Sequence, residues 1–364
     1  MAEKKKKGIG RLLFGLTART FMLMNAVVLV FSYLSMYVNP AKAWFMTIFG
    51  VLFIVFFIMN LLLLVWALRR RSGSAVIPLL ALLPSVFLIG RYVQFSGRND
   101  TAEDAVTIVD YNVGKFSMYP SHSRLESVEA CRDSLFAFIK RVDPDIVCLQ
   151  EFRGPKGVTV EDFFSGMMPG YNIEHFTHIT GRGYFGNVIL SRYPIVGQGK
   201  FDFEESSNQA HYADLDIGGK VVRVYNCHLE SYSLSVPRLV KAFTSREDGK
   251  VQEAEEKMRN SITRRPQQVD VLLEDIRNSP VESIVTGDFN DTPMSYTYQQ
   301  LQQGKKDSFV EAGKGMGGTY SGLWPFIRID YVLFPESCEA LYHKVERKRF
   351  SDHYPIVTRL KINQ

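Results

Sequence analysis

The sequence predicts an α/β fold: a four-layer α/β sandwich of two packed mixed β-sheets flanked by helices, preceded by about three transmembrane helices. Three observations predict it. Residues 21–95 are strongly apolar, whereas the rest of the 364-residue chain is mixed. Beyond residue 105, short β-rich runs recur with few helices to connect them, which argues for packed sheets with helices outside. Six of those segments end an apolar run in a carboxylate, an amide or an imidazole, so their polar ends belong on the rim of a sheet.

The apolar portion comes first. Phe21 to Val38 runs about 18 residues without a charge and is broken by Asn39-Pro40-Ala41-Lys42. Trp44 to Leu68 is a longer run closed by Arg69-Arg70-Arg71, and Ala75 to Phe95 is a third, holding Pro78, Pro84 and a late Arg91. About 20 apolar residues cross a bilayer core, and a late arginine reaches the interface along its stem. We therefore expect a membrane region over 1–96 with spans near 21–38, 44–68 and 75–95, a polar linker over 97–104 and a catalytic domain over 105–364. Lys4 to Lys7, Arg11 and Arg69 to Arg71 mark the cytoplasmic side. Three crossings from a cytoplasmic N-terminus would place the catalytic domain in the periplasm or outside the cell, tethered to an inner or plasma membrane. Two further apolar runs and no small-residue cleavage pattern argue for a retained anchor rather than a cleaved signal.

In the second part, strands are expected over Val106–Val113, Asp145–Gln150, Gly186–Ser191, Lys200–Phe203, His211–Ile217, Val221–Cys227, Ser283–Thr286, Ile329–Phe334 and Pro355–Leu360. Gly218-Gly219 is a hairpin turn. Helical spacing covers Ser123–Arg141, with Leu125, Val128, Leu135, Phe136 and Ile139 on one face, and Arg246–Asn278. Gly313-Lys314-Gly315-Met316-Gly317-Gly318 lacks the pattern of a phosphate-binding loop and reads as a flexible loop.

Charge is uneven. Residues 1–100 carry 12 basic and 2 acidic side chains (+10), and the chain is +5, so residues 101–364 hold 31 basic against 36 acidic (−5). A mildly acidic domain is poor footing for tight non-specific nucleic-acid binding. Cys131, Cys148, Cys227 and Cys338 form no CxxC pair and read as buried free thiols.

The six segments are Ile108-Val109-Asp110-Tyr111-Asn112, Ile146 to Glu151, Val224 to His228, Ile284 to Asn290, Arg328-Ile329-Asp330-Tyr331 and Ser351-Asp352-His353. Pooled on one edge they would form the acidic, amide-rich pocket that a metal-assisted hydrolase needs. Asp288 and Asn290 share a tight turn eased by Gly287: the first can take a proton from water, the second can donate to a phosphoryl oxygen. Asp330 and His353 read as a carboxylate orienting an imidazole.

In this order the segments resemble the endonuclease/exonuclease/phosphatase superfamily, which includes abasic-site endonucleases, DNase I-like nucleases, neutral sphingomyelinases and inositol-phosphate phosphatases. The resemblance covers residues 104–362 and leaves the apolar portion outside. It implies a hydrolase of phosphoester bonds that uses Mg²⁺, with Mn²⁺ as a substitute. It makes Glu151 the metal ligand, with Asn112 beside it and Asp352 reaching the metal or its water. It makes His228 a phosphate contact, and either Asp288 or His353 the base. Asn187, on a strand that lines the site in the family, is a candidate for substrate contact. Tyr296 and Trp324, with Tyr232 and Tyr320, would form an aromatic rim or simply anchor their loops.

Three functions remain in play: a membrane-anchored phosphodiesterase or phosphomonoesterase acting on phospholipid head groups, an endonuclease or exonuclease acting on DNA or RNA, and a catalytically silent membrane scaffold. The anchor and the acidic domain favour the first, with the lipid bilayer and a phosphate ester as partners. The intact acids and histidines argue against the third.

Overall fold

The central strands of the second half are buried on both faces, so both faces of each sheet must be covered. The structure, a computed structural model, describes residues 2–100, 104–114, 127–181, 183–203, 206–232, 248–323, 325–348 and 350–363. It divides into two compact units: Met1–Gly90 with Met294–Tyr296, and Arg91–Pro293 with Thr297–Gln364.

In the first unit the helix Ala2–Leu34 is continuous. Polar side chains stitch it to its neighbours: Ser32 Oγ donates to Phe49 O at 2.8 Å, Tyr33 hydroxyl to Ala81 O at 2.8 Å, and the buried Asn60 to Asn25 O at 3.0 Å. Such bonds tie the helices to one another. The outward side chains are instead apolar, among them Leu62 at 63% and Phe87 at 87% exposure.

Among the described residues, two segments are long and apolar enough to cross a membrane, Leu13–Leu34 and Gly73–Arg91. That corrects the expected count of three. The middle run, expected to span over 44–68, is broken at Leu52, whose backbone (φ −88°, ψ 6°) leaves the helical range, and Phe53–Arg69 is only 17 residues long. The expected placement of the catalytic domain outside the cytoplasm counted on three crossings and does not follow from two.

In the second unit the strands are β1 (Val93–Gln94), β2 (Val106–Asn112), β3 (Ile146–Arg153), β4 (Asn172–Thr180), β5 (Gly183–Ser191), β6 (Ile195–Asp202), β7 (Gln209–Ile217), β8 (Lys220–His228), β9 (Ser283–Asp288), β10 (Lys305–Asp307), β11 (Gly315–Met316), β12 (Asp330–Pro335), β13 (Glu339–Val345) and β14 (Ile356–Lys361). One six-stranded sheet has the order β13-β14-β2-β3-β5-β4, the other β10-β12-β9-β8-β7-β6. Each is mixed, with one parallel pair at its centre: β2 with β3, and β8 with β9.

Period-two alternation sorts the side chains into three buried layers. Ile108, Ile146, Val224, Ile284 and Val332 fill the space between the sheets. Val109, Val147 and Leu149 face outward under Leu135, Phe136 and Ile139 of the helix Val128–Val142. Val285 and Leu333 lie under Val269 and Leu272 of the helix Asp248–Asn278. Emptying one such site, as in Leu272→Ala, would cost about 2–5 kcal/mol.

The four cysteines are buried and free. Residues Gly218 and Gly219 turn with positive φ, as a tight hairpin between twisted strands requires. The expected helix from Ser123 is seen from Val128, capped by Ser127 Oγ on Ala130 N at 3.1 Å; residues 115–126 lie outside the described residues.

Candidate active site

Strand direction gathers the site. Parallel pairing sets Asn112 beside Gln150 and His228 beside Asp288, so four strands end on one edge. Antiparallel β12 begins there, with Asp330 opposite Asp288. Antiparallel β14 begins with Ile356 opposite Asp110, which brings Ser351–His353 to the same rim.

Two rim residues adopt the left-handed backbone without being glycine: Glu151 (φ 54°) and Asn290 (φ 51°). The β3–β5 pairing slips between Leu149 and Phe152, and this irregularity re-aims Glu151. Such conformations cost free energy and persist where the surroundings dictate them. Gly287 (φ 122°) is obligatory, since a Cβ there would lie 2.0 Å from Cys227 O.

Asp288 is the hub. Its Oδ2 accepts from Asn112 Nδ2 at 2.9 Å and its Oδ1 from Asn290 N at 2.8 Å. His353 Nε2 lies 3.7 Å from Oδ2 and His228 Nε2 3.9 Å; His228 Nε2 is also 3.6 Å from Glu151 Oε1. His353 Nδ1 meets both Asp330 oxygens, at 3.0 and 2.9 Å, and the Tyr320 ring packs edge-on against the imidazole.

Burial, with Asp330 nearby, raises the Asp288 carboxyl to about 7 against the opposing pull of His353. Burial would lower His353, but Asp330 and Asp288 outweigh it and hold the imidazole well above its ordinary value. Asp110, fully buried beneath the rim, is likewise pushed far up by burial and by Asp330.

Asp288, Asp330 and His353 place ligand atoms within 4.8 Å of one another. Asp288 and Asp330 bring two buried carboxyl groups together beside His353, and Glu151 Oε1 approaches from the His228 side. Hard oxygen donors of this kind fit a divalent cation. His353, committed to Asp330, is the poorer ligand of the set. Glu151, 22% exposed at its side chain and beside Asn112's strand end, is the open one.

The remaining expected residues are placed less centrally. Asp352 is half-buried; its Oδ1 lies 3.2 Å from Ser351 Oγ and its carbonyl accepts from Ser321 N at 2.8 Å. Asn290 Nδ2 donates to Leu229 O at 2.8 Å, tying the Asp288 turn to the end of β8. Asn187 is buried one strand behind, donating to Gln209 O at 3.1 Å. Tyr296 opens the short helix Tyr296–Leu301 and belongs to the first unit. Trp324 lies outside the described residues. Tyr232 anchors its loop, donating to Asp291 Oδ1 at 2.8 Å.

Sequence reasoning missed the supports. Arg265 is fully buried; it donates to Asp291 Oδ2 and Glu230 O, both at 2.8 Å, and lies over the Tyr232 ring. It thereby pins the segments after His228 and Asn290 to the long helix. Gln150 Nε2 donates to Asp110 Oδ1 and Asn226 Oδ1, both at 2.8 Å, joining the two sheets under the rim. Ser351 Oγ donates to Asn112 O at 2.7 Å and accepts from His353 N. Ser351, Gln150 and Asn226 stand inside the quoted segments, so adjacency was the available signal. Arg265 carries none.

A profile described as the endonuclease/exonuclease/phosphatase family matches residues 111–353, two-thirds of the chain. The chain belongs to this family. Its members are hydrolases acting on phosphoester bonds and generally use divalent metals. A second profile, a domain of unknown function, matches residues 12–92. No curated protein matches the chain.

The fold is similar to that of many solved structures, three of which are described here. The family member from Bacteroides vulgatus has 19% identity and TM-score 0.51 over 71% of this chain and 99% of that one. A humanized D. rerio TDP2 with 14 mutations has 17% identity and TM-score 0.51 over 71% and 99%. The family protein from Beutenbergia cavernae DSM 12333 has 18% identity and TM-score 0.50 over 71% and 72%. At these identities the likeness is one of fold.

Proposed function

We propose that this chain is a membrane-anchored, Mg²⁺-dependent phosphoesterase that cleaves a phosphodiester or phosphomonoester of phospholipid head groups by in-line attack of water. The observation that carries it is the contact set around Asp288 Oδ2, with Asn112, His353 and His228 converging on one carboxylate oxygen.

A bound divalent cation, held by Glu151 with Asn112 and with Asp352 through water, would neutralise phosphoryl oxygens and acidify nearby water. Asp288 takes the proton of the attacking water, since a base tuned near neutrality is both free to accept and strong enough to matter. His353, charged by Asp330, donates through Nε2 to a phosphoryl oxygen instead of acting as the base. His228 Nε2 contributes a second contact from the opposite strand end. The second amide hydrogen of Asn290 is left for the substrate after the first is given to Leu229.

Apolar helices before a catalytic domain over 105–364 would tether it at a lipid surface, and tethering raises the effective concentration of a membrane substrate. The net charge of −5 over residues 101–364 disfavours a nucleic-acid polyanion.

The test offers the full chain in neutral detergent bis-p-nitrophenyl phosphate, sphingomyelin liposomes and plasmid DNA, with Mg²⁺ or with EDTA. EDTA-sensitive hydrolysis of the first two is expected. DNA cleavage far faster than lipid cleavage would replace the substrate class, and absence of EDTA-sensitive turnover on all three would remove the enzymatic reading.

A further inference from the structure

The sheet that carries Glu151 does not stop at the rim. Beyond it, Arg153 on β3 stands opposite Phe185 on β5, and Phe185 opposite His178 on β4. Alternation puts Arg153 and Phe185 on the same face as Asn187 and Ile189, the face turned toward the other sheet, while Phe152 and Tyr184 point into the outer layer. In the other sheet β7 starts only at Gln209, whose Nε2 donates to Phe176 O, and the residue before it, Asn208, turns away to Leu229 O. Phe185 and Arg153 therefore overhang the end of the facing sheet as a half-buried ledge beside Glu151.

The arginine on this ledge is fixed in place but not neutralised. Its guanidinium lies over the Phe185 ring at 5.5 Å, and Nη1 donates to Thr180 Oγ1 at 3.3 Å. The Thr180 hydroxyl spends its own proton on Gly183 O at 2.7 Å, so it meets Arg153 as an acceptor. Among the described residues no carboxylate pairs with Arg153. Lys200, the cation over the neighbouring Phe176 ring, is by contrast paired with Glu174 at 3.5 Å. A guanidinium that has given up part of its hydration without an ion pair has an interaction left to make. One of its five N–H groups is used, and the Nε–Nη2 edge, the fork that matches a carboxylate or a phosphate, is uncommitted. Two residues along β3 and one strand across put that edge about 8 Å from Glu151.

We propose that Arg153 is a specificity-determining residue: its open guanidinium edge binds a second anionic group, a phosphate or a carboxylate, joined by a short arm to the phosphoryl group held at the rim. The inference rests on the phosphoester reading of that rim. The carbon atoms of the arm lie along Phe185, and the preferred substrate is an ester with two anionic groups rather than one.

The test is calorimetric titration of the full chain in neutral detergent with Mg²⁺, using three unreactive probes. Propylphosphonate has one anionic group, propane-1,3-bisphosphonate adds a second phosphonate on the same three-carbon arm, and 4-phosphonobutanoate adds a carboxylate instead. At least one two-headed probe should bind at least about ten-fold tighter than propylphosphonate, the scale of hydrogen bonds to a charged group. Which of the two does so assigns the second group as phosphate or carboxylate. In Arg153→Met that ratio should fall toward one, and Arg153→Lys, which keeps the charge without the fork, should restore only part of it. A merely structural brace would lower the melting temperature or weaken all three probes alike and leave the ratio intact, which would overturn the proposal. So would equal affinities in the native chain, or binding of none of the probes. Turnover of bis-p-nitrophenyl phosphate by the native chain is measured in parallel. A missing ratio with turnover present overturns the Arg153 contact alone; a ratio that depends on Arg153 without turnover upholds the contact and removes the enzymatic reading.

Discussion

His353 and His343 are buried to the same depth, 6% exposed each, and each engages a neighbour through Nδ1. They differ in charge. Asp330 and Asp288 outweigh burial at His353 and hold it protonated. At His343 the Nδ1 partners are two hydroxyls, burial prevails, and the ring is neutral. The difference teaches that desolvation sets the default for a buried imidazole and that only a carboxylate at hydrogen-bond distance reverses it. One histidine thus becomes a cation at an acidic rim, the other a neutral ring among hydroxyls.

The largest expected effects fall on the rim. Asp288→Asn, Glu151→Gln and His353→Ala should each lower kcat/KM on bis-p-nitrophenyl phosphate by at least about 10²-fold, the scale of an acid–base contribution. Near-normal rates in all three would break the assignment.

Converting His353 into a residue like His343 comes next. Asp330→Asn removes the reversing carboxylate and should cost about ten- to a hundred-fold in activity. The pH profile sharpens it. Activity should rise as Asp288 loses its proton, with an acid limb at or below about 7, and fall where His353 loses its own. In Asp330→Asn the alkaline limb should move to lower pH; an unmoved limb means that His353 does not set it.

The smallest effect is on stability. His343 and His211 have folded values near 3 against 6.5 unfolded. Below pH 6.5 the unfolded chain takes up protons that the folded chain refuses, so their contribution is complete above 6.5 and is lost progressively toward pH 3. His353 contributes with the opposite sign: its folded value is raised, so its stabilisation is present below 6.5 and lost as pH rises through that value. Melting temperatures measured from pH 6.5 to 5, where most carboxylates stay charged, should fall less steeply for His343→Gln than for the native chain. Equal slopes would show that His343 is not neutral in the fold.

The rim segments were legible because a buried strand leaves few reasons for Asp288, Asn112 or His228 to stand where its apolar run stops. The strand β4 was not. Its sequence Asn172-Ile173-Glu174-His175-Phe176-Thr177-His178 puts polar residues in both phases, and period two disappears. The apolar run over 44–68 looked continuous because composition carries no trace of the backbone departure at Leu52.

The amino-acid sequence by itself determined the layered α/β architecture, the apolar N-terminal quarter and the roster of rim residues, since each follows from local periodicity and from polar groups at the ends of apolar runs. Tertiary structure alone decided how many apolar segments are long enough to span and that Arg265 braces two rim loops. It also decided which histidine is charged. Those outcomes depend on distances between groups far apart in the chain, and electrostatic and hydrogen-bond energies are set by distance and burial, neither of which a linear pattern contains.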